Sequence, residues 1–415
     1  MGYQTINMNA RMNGRYIRAA LCALLACSLL TACVSEKVRV VNDTLAINAE
    51  EAIPESLLLD VGIGIFDPGI PEDESSWEKL RVYPVVRKAE SRYIPYTLKG
   101  TLQDTSQWGS VWVVPTNSNA VDVAVNGTVL ASDGEILAIH VTVVDATGRQ
   151  WLDKEYSGAA SKYSYNDEFH MEQDPFQNIY NQIANDMVAA REKLNDKDIT
   201  TIRSVASLKF ATEFAPDAFD TYLSQDKKGD FHVNRLPAAD EPMMQRMYLI
   251  RDREYMLFDV LDEHYGNFHE NMDGPYENWR KYSYEETIAQ REVAESAMRR
   301  KLLGAAAIIG GLVMAQNSNS SAGSVASTAA VLGGIAAFKS GMDRSAETKI
   351  HEDALKELSG SLEAEVRPMV VEIEGTSVEL TGSAEAQYEE WRAILKEIYQ
   401  AESEYTLPPA DGDGG

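Results

Sequence analysis

Cysteine is almost missing from this chain of 415 residues, and the three present, Cys22, Cys27 and Cys33, all lie near the amino terminus. No disulfide framework can form beyond Cys33, even in an oxidising compartment. Positive charge is also short: 38 Lys and Arg stand against 64 Asp and Glu, for a net −26. That balance disfavours nucleic acid and anionic headgroups as partners. The acids are dispersed along helices, as on a solvated face, and mark no divalent-cation site. Catalytic signatures are missing too, with no Gly-x-Ser-x-Gly elbow, phosphate loop or His-Glu-x-x-His. Gly62 and Gly64 invite a dinucleotide reading. No third glycine follows at the right spacing and Asp67-Pro68-Gly69 is a turn, so close backbone packing is the better account. The densest ionisable group is Asp262-Glu263-His264 with His269-Glu270. Five residues apart on a helix, the two histidines point about 140° from each other and cannot share a metal. Asp273 is four residues from His269 but falls in a helix-breaking Asp-Gly-Pro. His140, among strand residues, reads as a packed side chain. No cofactor or metal is expected.

What the amino terminus holds is more specific. Arg11, Arg15 and Arg18 form a positive region with no acidic residue before Cys33. The apolar run 19–30 is shorter than the ~20 residues that span a bilayer. The end of this segment, Leu29-Leu30-Thr31-Ala32-Cys33, resembles the bacterial lipobox. That resemblance implies cleavage before Cys33, its acylation and a 383-residue mature chain (415 − 32). Three acyl chains, at ~0.8 kcal/mol per buried methylene, would anchor it durably. With Val34 rather than aspartate following, the resemblance implies the outer membrane, periplasmic face.

The order of patterns divides the chain into a signal peptide (1–32), a lipidated tether (33–56) with at most one short strand, an α+β domain (57–197), a helical domain with a long helical hairpin (198–301), a zipper hairpin (302–340), a helix, β-hairpin and helix (341–405) and a polar tail (406–415). In the α+β domain, 57–66 reads as a buried strand and 89–104 as a helix kinked by, or starting near, Pro95. Strands at 110–114, 121–125, 139–143 and 151–156 follow, with a tight turn at Asp133-Gly134. An amphipathic helix closes the domain at 176–194. The expected fold class is α+β, an antiparallel sheet with helices on one face. Trp108-Gly109-Ser110-Val111-Trp112-Val113-Val114-Pro115, Val125-Asn126-Gly127-Thr128-Val129-Leu130 and the hairpin ending Val143-Val144-Asp145-Ala146-Thr147-Gly148-Arg149 resemble the periplasmic domain of curli-export lipoproteins and their relatives similar to the TolB amino-terminal domain. The resemblance covers 57–195 and implies oligomeric, non-enzymatic envelope work. The chain departs from the curli exporters in lacking a second set of long alternating strands.

The second half reads as helices at 196–214 and 215–223, then two long helices, 242–272 and 276–300, broken at Asp273-Gly274-Pro275 and packed as an antiparallel hairpin. Two uncharged, small-residue stretches follow, 302–315 and 322–338. Ala307, Gly311 and Ala315 recur every four residues in the first. Ala322, Ala326, Ala330 and Gly334 do so in the second, with Gly333 alongside. Small residues four apart let another backbone approach closely, and the stretch resembles glycine-zipper hairpins of bacterial envelope proteins. Packing within the protein or an oligomer, and insertion into a membrane, both stay open; at 14 and 17 residues the stretches fall at or below the ~17-residue limit for spanning. A further helix to 365, a β-hairpin around Gly375 and a helix at 384–402 complete the fold.

The leading expectation is an outer-membrane-anchored, non-enzymatic scaffold or accessory of an envelope assembly. Its partners would be the membrane, through the lipid, and copies of itself or other envelope proteins. A tethered carrier of lipid or a small ligand is the alternative, and a hydrolase with its site scattered in sequence is the third reading.

Overall fold

The computed structural model describes residues 44–115, 118–161, 163–165, 173–238, 240–314, 356, 369–373, 376–380 and 383–404. The chain divides into compact units at 1–40 and 41–415, and every described residue belongs to the second. The expected signal peptide, the helix to 365 and the tail lie outside the described residues.

The alternating valines build one five-stranded sheet in the order β2-β1-β3-β4-β5, from β1 (Val61–Gly64), β2 (Val111–Val114), β3 (Val123–Ser132), β4 (Ile136–Asp145) and β5 (Gln150–Ala159). The α+β class holds. The sheet is mixed rather than wholly antiparallel: β1 runs parallel to both β2 and β3, and only β3, β4 and β5 alternate in direction. The parallel pairing of β1 with β2 requires a crossover, and the connection from β2 to β3 then carries the chain to the other side of β1. That crossover is α2 (Pro84–Asp104), which follows the single-turn α1 (Trp77–Leu80). β4 alternates strictly between covered and half-open positions, whereas β1 and β2 are buried throughout. Helices therefore cover both faces at the parallel edge. Val61, Ile63 and Val141 share a core with Ile94 and Leu98 of α2 and with α3 (Gln177–Arg191). Trp112 and Val114 share another with α4 (Asp196–Phe214), α6 (Pro242–Met314) and α7 (Ala384–Glu404). A single-turn α5 (Pro216–Phe219), the hairpin β6 (Leu223–Gln225)–β7 (Phe231–Val233) and the hairpin β8 (Met369–Ile373)–β9 (Thr376–Leu380) complete the list.

Gly64 behaves as close packing requires, since a Cβ there would sit 2.8 Å from Asn126 Oδ1. At Gly127 it would fall 2.4 Å from the Phe66 ring, so glycine is what lets that ring cross β3.

Both interior prolines correct the expected boundaries. α2 starts at Pro84, five residues before the expected position, and carries Pro95 inside it. Proline has no amide hydrogen, so the carbonyl of Ser91, four residues back, is free; it accepts the Phe66 N–H at 2.9 Å instead. The expected hairpin of two long helices is replaced by one uninterrupted helix, α6, of 73 residues (Pro242–Met314), with Pro275 in its interior. At ~1.5 Å per residue it is about 110 Å long. The physical reason is packing. Phe268, Met272, Tyr276 and Trp279 continue one stripe across Asp273-Gly274-Pro275 and bury it against Val86, Ala89 and Tyr93 of α2.

α6 also closes the sheet edge. Asp259 accepts the Trp112 indole N–H at 2.8 Å, and Asp262 accepts the Val113 N–H at 3.3 Å while pairing with Lys99. Farther along, fully buried Glu254 accepts from Ser118 Oγ, Tyr388 Oη and Arg392, which joins α7 to α6 and to the β2–β3 loop. Arg392 also pairs with Glu213 of α4 at 2.6 Å. Removing one partner of a buried pair strands the other charge. We therefore expect Arg392→Ala to cost about 3–5 kcal/mol in urea unfolding and to strip amide protection from α7 first; an unchanged midpoint would show that the pair does not hold α7.

Candidate functional site

α3 is two-faced. Ile179, Tyr180, Ile183, Met187 and Val188 are buried against the sheet. On its polar side Asn178, Asn181 and Asn185 fall at i, i+3 and i+7, one above another along a helix face. These amides hold a stretch of main chain inside the expected lipid-bearing tether (33–56). Asn178 Oδ1 accepts the Thr44 N–H at 2.9 Å, and Asn181 Nδ2 donates to Thr44 O at 2.7 Å. Asn185 grips both sides of a dipeptide, donating to Leu45 O at 2.9 Å and accepting the Ile47 N–H at 2.8 Å. The Ala49 N–H then donates to Thr105 O at 2.8 Å. From Thr44 onward the expected tether is thus a strap on the body.

Leu45, Ala46 and Asn48 of that strap wall a cleft of about 710 Å³, whose other sides come from α2, α6 and residues 173–177. His269 stacks on Tyr93, ring centroids 4.1 Å apart, and Tyr93 Oη donates to Asp273 at 2.9 Å. Arg280 is buried, donates to Asp174 at 2.7 Å and lies over the Tyr276 ring. Burial pushes the Tyr93 hydroxyl up and holds the His269 imidazole below its ordinary value, with Asp273 opposing the latter effect. The tautomer follows from the hydrogen bonds. Thr97 Oγ1 gives its only proton to Tyr93 O, so at 3.0 Å it accepts from His269 Nε2–H. The imidazole lone pair is then on Nδ1, away from the hydroxyl, and Thr97 is not an activated nucleophile.

A second polar knot lies where α6 meets the sheet. Arg251 donates to Ala120 O at 2.7 Å and lies 3.8 Å from Asp122, whose carboxylate accepts the Asp60 N–H. Burial pushes the Asp122 carboxyl up to about 6, against the pull of Arg251. A third, between α2 and α6, has Glu90 accepting from Ser132 and Tyr276 beside Arg87; burial raises its carboxyl as well.

The expected site residues fare unevenly. Cys33, Ala315, Ala322, Ala326, Ala330, Gly333 and Gly334 lie outside the described residues. Ala307 and Gly311 lie one turn apart in the last part of α6, which crosses the expected boundary at 301/302 without a break. The expected helix-breaking turn at Asp273 is helix, and this lets His269 and Asp273 share the cleft. His140 pairs with Asp153 at 2.7 Å on the open face of the sheet rather than packing in a core. The asparagine triad escaped the sequence reading; its i, i+3, i+7 spacing opposite an apolar stripe was the available signal. Among the described residues no group of three His, Cys, Asp or Glu could hold a metal ion, and no helix is long and apolar enough to cross a membrane. Comparison with protein-family models, curated proteins and solved structures finds no match to this chain.

A folded-state value below 6.5 for His269 means that the unfolded chain takes up this proton first as pH falls. Its contribution to stability is present above about pH 6.5 and is lost below. We expect its imidazole resonances to titrate below 6.5, and lower still in Asp273→Asn, which removes the opposing carboxylate. A midpoint at or above 6.5 would mean that burial of the ring does not outweigh Asp273.

Proposed function

We propose that this chain is a lipid-anchored bacterial envelope protein, held at the periplasmic face of the outer membrane, acting as a non-enzymatic and self-associating scaffold or accessory of an envelope assembly. The observation that carries the reading is Leu29-Leu30-Thr31-Ala32-Cys33 at the end of a basic and then apolar leader. The order β1, α2, β2, β3, β4, β5, α3 is the order on which the resemblance to curli-export and TolB-like periplasmic domains rests, and so supports it. α6 delivers the first zipper stretch as helix up to Met314, the form in which small residues four apart act. The cleft favours one part of the carrier alternative, a small polar ligand, and gives no support to a lipid cargo: Asp104, Asp174, Asp273 and Glu277 line it.

Two variants test the two halves of the proposal. Cys33→Ser should abolish acylation and leave a soluble or unprocessed protein; a variant still sedimenting with outer membranes after a high-salt wash would sink the anchor. Gly334→Leu should hold facing helices apart and disrupt self-association, at a cost of several kcal/mol if the contact is tight, while leaving the five-stranded sheet intact. An unaltered oligomer and melting temperature in that variant would remove the zipper from the mechanism.

A further inference from the structure

Among the described residues, every hydrogen bond that holds residues 44–49 is made to their main chain, by Asn178, Asn181, Asn185 and Thr105. The apolar side chains of this segment are left outside: Leu45 is 80% exposed and Ile47 49%. A segment held by partly exposed polar bonds, with little apolar burial, opens at the low end of a protein's local stabilities. The next firm hold comes where Arg203 donates to Glu55 O at 2.7 Å and Arg191 to Leu57 O at 3.1 Å, both from helices of the core.

The spacing of these two holds along the chain has a consequence for reach. From Cys33 to Thr44 is 11 residue steps, and from Cys33 to Glu55 is 22. At ~3.5 Å per step the first spans at most about 40 Å and the second about 75 Å. We propose that residues 44–49 are a releasable strap storing tether length. Load on the chain at Cys33 peels the strap from the asparagine triad, and the body then reaches up to about 35 Å farther from its anchor, less the distance between the two holds, while its sheet and helices stay folded. Peeling also removes the wall that Leu45, Ala46 and Asn48 give the cleft. The use of this device at a membrane rests on the lipid-anchor reading; the strap itself does not.

The test pulls on the full chain with Cys22 and Cys27 replaced by serine, so that Cys33 is the sole thiol and takes a handle, the other handle being at the carboxyl terminus. We expect a reversible low-force extension of at most about 35 Å before any cooperative unfolding. The step should vanish when a disulfide between cysteines placed at positions 45 and 181, closed before the handle is attached, locks the strap. In the variant carrying Asn178→Ala, Asn181→Ala and Asn185→Ala it should be absent because the strap is already free. By hydrogen exchange, the Thr44 and Ile47 amides of that variant should exchange at least ~100-fold faster than in the parent, with those of β4 unchanged. Strap amides that exchange only with β4, or an extension that comes only with cooperative unfolding, would overturn the proposal. If the step is present but Cys33→Ser still sediments with membranes, the anchor reading fails and the strap stands; if the step is absent and Cys33→Ser is released, the reverse holds.

Discussion

Pro275 has no amide hydrogen to give Asn271 O, and a proline inside a helix costs ~3 kcal/mol or more. α6 nonetheless runs through it, and the rest of the body depends on that continuity. The compensation lies on either side of the proline, where Phe268, Met272, Tyr276 and Trp279 are buried against α2. Fully burying side chains of this kind is worth ~1.5–3 kcal/mol each. Four of them outweigh one proline even after discounting for a compact unfolded chain. Were the helix to break at 273–275, Asp273 would no longer be held under Tyr93, and the cleft would lose its α6 wall.

Continuity of α6 has a second effect, on the sheet. The β2 edge would otherwise offer open main-chain groups to any passing strand. Asp259 and Asp262 take up the Trp112 indole and the Val113 amide from that edge. Glu254, Arg251 and Asp262 then tie α7, the β2–β3 loop and α2 to the same helix. Buried ion pairs of this sort add little net stability compared with well-packed apolar residues, but leaving either partner alone is costly. Their effect is to fix which residues of α6 face the sheet. One helix thus sets the register of α2, of the sheet edge and of the carboxyl-terminal helix.

Local patterns in the sequence were readable where burial imposes a period. β3, β4 and β5, the Asp133-Gly134 turn, α4 and the β8–β9 hairpin fall close to their expected places because alternating valines or a helical stripe mark each of them. Two features were hidden. Strand direction was one: nothing in Val61-Gly62-Ile63-Gly64 says that both its neighbours run parallel, since that follows from the crossover through α2 to β2 and from the connection of β2 to β3. The two helix-interior prolines were the other. Local chemistry argues for a break at each, and tertiary packing at Pro275 and a long-range acceptor role for Ser91 O at Pro95 override it. The cleft was illegible for the same reason, because Tyr93, Asp174 and His269 meet only when α6 is whole. The asparagine triad was visible as spacing, but its partner is main chain and leaves no mark in side-chain identity.

The cleft's chemistry bears on what kind of ligand it could hold. A lipid carrier must give each methylene an apolar wall to recover ~0.8 kcal/mol from it. Here Asp174 is matched by Arg280, while Asp104 and Glu277 face the cleft alongside Asp273, and the one imidazole is held toward its neutral form. Filling such a space with hydrocarbon would strip water from carboxylates that, among the described residues, have no paired cation to replace it, at a cost far above the gain. The apolar surface of the described body is spent instead on joining α6 to the sheet, to α2 and to α7. That distribution leaves little room for a greasy cavity among the described residues, because the side chains that could line one are already buried between elements.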